Sequence, residues 1–129
     1  MHRRRGFTLI ELLIVMVLIG LLASIAANTL WRAKDRGLVA AMQNDLRALA
    51  TLQEHYHPET FTYAADLASL PDYTPSPGVT VTLTFAGPRG WAAQAQHHSY
   101  VGHTCGIYFG DASPADGAPA TQAGTVACD

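Results

Sequence analysis

Glu11 is the residue whose position most asks for a chemical explanation. It stands at the head of residues 12–30, nineteen residues whose only polar side chains are Ser24, Asn28 and Thr29. An ionised carboxylate costs roughly 2.5–3.5 kcal/mol near a bilayer centre and somewhat less toward its edge, so a purely structural anchor would do better with Leu. A backbone cut after Gly6 would change that account. Phe7 would gain a charged α-amino group four residues before Glu11, on the same helix face, and an amine and a carboxylate would share one apolar neighbourhood.

The other residues capable of chemistry lie near the opposite end. Cys105 and Cys128 occur in a chain that opens with an export-like signal, a context that favours a disulfide over a metal or redox pair, and two cysteines leave one connectivity. Closing that loop contributes about 3 kcal/mol in the chain-entropy account. His97, His98, His103 and Cys105 invite a zinc reading, but their spacing fits no standard motif and a Cys105–Cys128 bond removes the thiolate. They are expected to be surface or loop histidines, with no metal and no cofactor, and His55 and His57 are expected to be solvated. A phosphate-binding Gly loop, a nucleophile elbow and an acid–base constellation are all missing, so no enzyme is expected.

Charge narrows the partners. The formal net charge is −2, yet Arg3, Arg4 and Arg5 supply three of the eight basic residues, and without residues 1–6 five basic stand against ten acidic. Phosphate affinity comes from clustered Lys and Arg, and no basic stripe follows Arg36, so no specific nucleic-acid surface is expected.

The elements that must position these residues follow from periodicity. About twenty apolar residues span a bilayer as a helix, and Trp31, Arg32, Lys34 and Arg36 add an aromatic and basic interface at the far end. Beyond Trp31 the pattern turns amphipathic, with Leu38, Met42, Leu46, Leu49, Leu52 and Tyr56 at three- and four-residue steps. This predicts one helix from Phe7 to about His57, roughly 75 Å long, with Pro58 as its stop. Gly20 with Ser24, and Ala23 with Ala27, are small pairs that let helices approach closely, and Gly20 and Asn28 are candidate hinges.

Residues 58–78 read as a surface connection, with one short helical turn within 64–70. Val79, Val81, Leu83 and Phe85 then alternate with threonines as a half-buried strand, and Gly87-Pro88-Arg89-Gly90 is a turn. Strands are also expected from Trp91 to about His97 and from Thr104 to Phe109. The fold class is α+β: a long N-terminal helix on a small antiparallel sheet of about three strands, each with one face buried, followed by a C-terminal disulfide loop with no core-forming run.

The run Arg3-Arg4-Arg5-Gly6-Phe7-Thr8-Leu9-Ile10-Glu11-Leu12-Leu13-Ile14-Val15 resembles the processing and assembly signature of type IV prepilins and type II secretion pseudopilins. The resemblance covers about the first thirty residues. It implies that a prepilin peptidase cuts between Gly6 and Phe7 at the cytoplasmic face and methylates the Phe7 amine. It also implies that Glu11 pairs with the Phe7 amine of a neighbouring subunit during assembly into a homopolymer. The expected organisation is a leader over 1–6, an apolar transmembrane and assembly half over 7–30, an amphipathic half over 31–57 and a head over 58–129. The precursor would sit in the inner membrane, engage the pilus assembly machinery and end as an extracellular filament at the cell surface.

The sequence departs from the family at Asn28, where many members carry proline, so the helix is expected to be more continuous here. Asp111 and Asp116 are loosely similar to the calcium-binding tail of major pseudopilins, although two carboxylates make a poor hard-cation site. The leading expectation is a major or minor type IV pilin, with a type II secretion pseudopilin next. Two other classes remain at this point: a soluble binding domain released by a signal cut after Ala26, and a membrane-anchored enzyme.

Overall fold

A computed structural model describes residues 6–129; residues 1–5, which hold the basic part of the expected leader, lie outside the described residues. Helix α1 spans Leu9–Thr60, and a 3-10 turn spans Leu67–Ser69. Strands β1 (Val79–Gly87), β2 (Gly90–His97), β3 (Thr104–Gly110) and β4 (Ala127–Cys128) form one antiparallel sheet in the order β1-β2-β3-β4. The chain divides into two compact units, Met1–Asp35 and Arg36–Asp129.

In the first unit the helix keeps its apolar side chains bare, from Leu9 at 88% exposed to Trp31 at 65%. Its polar side chains are satisfied locally: the Ser24 hydroxyl donates to the Leu21 carbonyl at 2.8 Å and Thr29 to the Ile25 carbonyl at 3.3 Å. Such back-bonding lets hydroxyl groups sit in an apolar helix without seeking water. Neither Gly20 nor Asn28 interrupts the helix.

In the second unit α1 buries Met42, Asp45, Leu46, Leu49 and Gln53, one face at helical spacing. The expected stripe members Leu38, Leu52 and Tyr56 lie half-buried at its margins. Met42, Leu46 and Leu49 pack with Val79, Val81, Trp91, Ala93, Ala95 and Ile107 into the main core. Two polar residues on the buried face, which the apolar pattern does not foretell, clamp the connection to the sheet. The Gln53 amide both donates to the Ala64 carbonyl (3.0 Å) and accepts from the Ala64 amide (2.8 Å). The Asp45 carboxylate accepts from the backbone and the hydroxyl of Ser76, both at 2.8 Å, and its carbonyl accepts from the Tyr73 hydroxyl.

Pro58 does not stop the helix, which runs on to Thr60. Proline removes one N–H, and the chain turns out only at Phe61, whose φ of 58° is left-handed and whose amide donates to the His57 carbonyl. That is a helix C-terminal cap of the kind glycine usually makes. His57 is not simply solvated: its Nε2 lies 2.7 Å from the Pro88 carbonyl and its ring 4.4 Å from that of Tyr63. The helix end is thereby tied to the β1–β2 turn.

The sheet departs from expectation in three ways. A bulge between Leu83 and Phe85 shifts the β1 register and leaves Phe85 37% exposed, which ends the alternation early. A fourth strand of two residues, too short to carry a period, pairs Cys128 with Cys105. Most importantly, β2 is buried on both faces. Trp91, Ala93 and Ala95 face the main core, while Ala92 joins Tyr108, Ala112 and Ala120 in a second cluster beneath the C-terminal loop.

The loop can lie so close because Gly106 and Gly117 meet there. A Cβ on Gly106 would collide with the Gly117 and Ala118 carbonyls, and one on Gly117 would stand 2.6 Å from the Ile107 carbonyl oxygen. Small residues let one backbone lie on another. The C-terminal stretch therefore contributes core despite having no apolar run.

Candidate functional site

The N-terminal end of α1 is built by its own sequence. The Thr8 hydroxyl lies 3.3 Å from the Glu11 amide, from which it accepts, while Glu11 Oε2 accepts from both the Thr8 amide and the Thr8 hydroxyl at 2.9 Å. This reciprocal arrangement is a capping box, with Thr8 before the first turn and Glu11 at its third position. It satisfies donors that a helix start would otherwise leave unpaired. Its sequence signal is Thr8-x-x-Glu11 ahead of an apolar run, and an argument from the charge of Glu11 alone passes over Thr8.

Gly6 and Phe7 precede the helix in non-helical backbone, with Phe7 78% exposed. The helix starts at Leu9 and not at Phe7, so Phe7 lies before the cap and does not share a helix face with Glu11 as expected. The capping box uses the peptide N–H of Thr8, so a cut between Gly6 and Phe7 would leave it intact. Only Oε2 is engaged; Oε1 makes no hydrogen bond among the described residues. The Glu11 carboxylate can therefore cap its own helix and still offer an oxygen to an external cation.

At the other end, Cys105 and Cys128 form a disulfide across the β3–β4 pair, with their Cα atoms 4.0 Å apart. The histidines do not form a cluster of ligands. His97 is buried and accepts from the Ser99 amide at Nδ1, a correction to its expected surface position, while His98 lies against it, ring centroids 4.9 Å apart. His103 stacks on Tyr100 and approaches Asp129. Asp111 pairs with Arg89 at 2.9 Å, whereas Asp116 caps Ser113, whose hydroxyl and amide hold its carboxyl below the usual carboxylate range. Among the described residues, no three His, Cys, Asp or Glu side chains converge as a metal site.

Comparison with known proteins bears on the N-terminal end. Residues 1–27 match the family described as the prokaryotic N-terminal methylation motif. The chain is 38% identical over 76 residues to the type IV major pilin protein PilA of Myxococcus xanthus, covering 59% of this chain and 34% of that one. The chain is thus similar to type IV pilins over part of its length. It is also 34% identical over 65 residues to the type II secretion system core protein G of Pseudomonas aeruginosa (49% of this chain, 46% of that one). A further match, 32% identical over 79 residues, is to core protein G of Escherichia coli (57% and 54%). The aligned segments span between about a third and about half the length of these relatives.

The family that the chain resembles is one of structural pilins and pseudopilins, not an enzyme family. The pilin-like chain has its long helix, small antiparallel sheet and C-terminal disulfide in one architecture.

Proposed function

We propose that this chain is a structural subunit of a bacterial type IV pilus filament. In this reading it is made as an inner-membrane precursor and cut between Gly6 and Phe7 by a prepilin peptidase that methylates Phe7. The assembly machinery then polymerises it with identical copies through residues 7–30, and the head over 58–129 faces outward on the cell surface.

The observation that carries the reading is one carboxylate at the start of an otherwise bare apolar helix. Such a helix must find lipid or sister helices to cover it. A buried unpaired charge is heavily penalised and a paired one tolerated, so a contact between Glu11 and the Phe7 amine of the next subunit would favour one axial register over others. Oε1, which makes no hydrogen bond among the described residues, suits that role. The pseudopilin of a type II secretion system is the second reading, favoured by the matches to core protein G; the C-terminal disulfide loop, more usual in pilins, favours the pilus.

Glu11 substitutions test the reading because its two roles separate. Glu11→Gln keeps an acceptor for the capping box and removes the charge, whereas Glu11→Val removes both. Both chains should be cut after Gly6, as mass spectrometry of the N-terminus would report, and both should fail to form filaments by electron microscopy of sheared material. Normal filaments from Glu11→Gln would overturn the charge-pairing role. A mature N-terminus at Ala27 would overturn the filament reading itself. Long surface fibres favour the pilus over a short periplasmic pseudopilus.

A further inference from the structure

The C-terminal end of the apolar run carries a second constellation. Trp31 is 65% exposed, and the Lys34 ammonium stands 5.6 Å from its ring centroid. These two side chains, with Ala27 and Leu30, bound an apolar notch of about 310 Å³. Arg32 points to a different notch, lined by Ser24, Ile25, Asn28 and Thr29. Glu11 and Trp31 are twenty residues apart, about 30 Å along a helix, which is the thickness of a bilayer's hydrocarbon core. With Glu11 at one boundary, Trp31 and Lys34 fall at the other.

We infer that the Trp31–Lys34 notch is a docking site for one anionic phospholipid of the leaflet at that end of the helix. The first methylenes of an acyl chain fill the space over Ala27 and Leu30 against the indole, and the lipid phosphate pairs with the Lys34 ammonium. The chemistry matches the parts: an apolar floor, an amphipathic indole that prefers the interface, and a cation already held over the ring. A phosphodiester on an acyl chain supplies apolar contact and negative charge at this spacing; a free phosphate supplies only the charge. The charge around the notch selects further, because Arg32, Lys34 and Arg36 face a single acid, Asp35, over residues 31–36. Lipid held there sets the depth of the precursor and must be shed when sister helices replace the bilayer. The inference rests on the membrane-precursor part of the proposed function.

The full chain in phosphatidylcholine vesicles tests it, with phosphatidylglycerol or phosphatidylcholine brominated near the glycerol end as quencher. The emission of the Trp31→Phe chain, which reports Trp91 alone, is subtracted to isolate Trp31. The association of phosphatidylglycerol relative to phosphatidylcholine should be about fivefold, the factor for about 1 kcal/mol per basic residue at an anionic surface. Lys34→Gln should return it to near one, while Arg32→Gln should leave most of it. A ratio near one in the unsubstituted chain overturns the notch, as does an equal loss in both variants, which would mean diffuse charge; quenching by either lipid would still support membrane insertion. Quenching by neither lipid, with protein recovered free of the vesicles, overturns the membrane-precursor reading together with the inference.

Discussion

Residues 9–35 and residues 36–60 belong to one helical element and are both rich in apolar side chains, yet they are covered very differently. In the first segment Leu12, Leu18 and Leu22 stay 49%, 54% and 68% exposed; in the second Met42, Leu46 and Leu49 are completely buried. The difference follows from pattern more than from total hydrophobicity. A helix apolar all round has no face to prefer and needs lipid or like helices on every side, whereas a one-sided stripe needs one sheet. The first segment places its polar chemistry at its ends, as Glu11 and the Trp31–Lys34 pair. The second places it in the middle of its buried face, where Asp45 and Gln53 bind the chain that leads to the sheet. One half therefore leaves its apolar surface uncovered, while the other buries a stripe in its own head.

That contrast can be broken experimentally. Leu46→Ala should destabilise the head by about 2–5 kcal/mol through the cavity it leaves, lowering Tm by roughly 10–25 °C in detergent, while Leu18→Ala should leave head unfolding unchanged. Equal shifts would mean that the two halves are not energetically distinct. Reduction of Cys105–Cys128 should cost about 3 kcal/mol in denaturant unfolding and should raise hydrogen exchange first in the loop over Ala112 and Ala120. Exchange rising uniformly instead would show that the second cluster has no identity of its own.

Gln53→Ala is expected to cost about 2 kcal/mol, because it leaves the buried Ala64 amide and carbonyl without partners; a loss below about 0.5 kcal/mol would show that water replaces the side chain. The smallest effect concerns pH. Burial, reinforced by the Asp45 carboxylate, raises the Tyr73 hydroxyl above its ordinary value of 10.0. Above that pH the unfolded chain loses the proton while the native one keeps it, so head stability should fall with rising pH, and Tyr73→Phe should flatten the decline. An unchanged slope in Tyr73→Phe would assign the alkaline loss to other groups.

The periodic parts of the chain are legible in the sequence. The long helix, the three main strands, the Gly87–Gly90 turn and the pairing of the only two cysteines follow from spacing and count, because helical and extended backbones impose periods of 3.6 and 2 on whatever they bury. Glu11 is legible for a related reason: a carboxylate heading an apolar run violates the local pattern and so marks itself. Thr8 can be read the same way, as the partner that a capping box requires three residues earlier.

Tertiary structure alone decided what has no period. It continued the helix past Pro58 to a left-handed Phe61, brought His57 against the Pro88 carbonyl and buried His97. It placed Asp45 and Gln53, polar by type, inside the core beside groups that need them, a choice that depends on where Ser76 and Ala64 arrive. It also laid a Gly-, Ala- and Pro-rich tail across β2 and β3, so that the central strand is covered twice. Local sequence determines which backbone a segment prefers and how much apolar surface it must hide. Which distant segment does the hiding depends on close approach between backbones, and at Gly106 and Gly117 that is settled by the absence of a side chain.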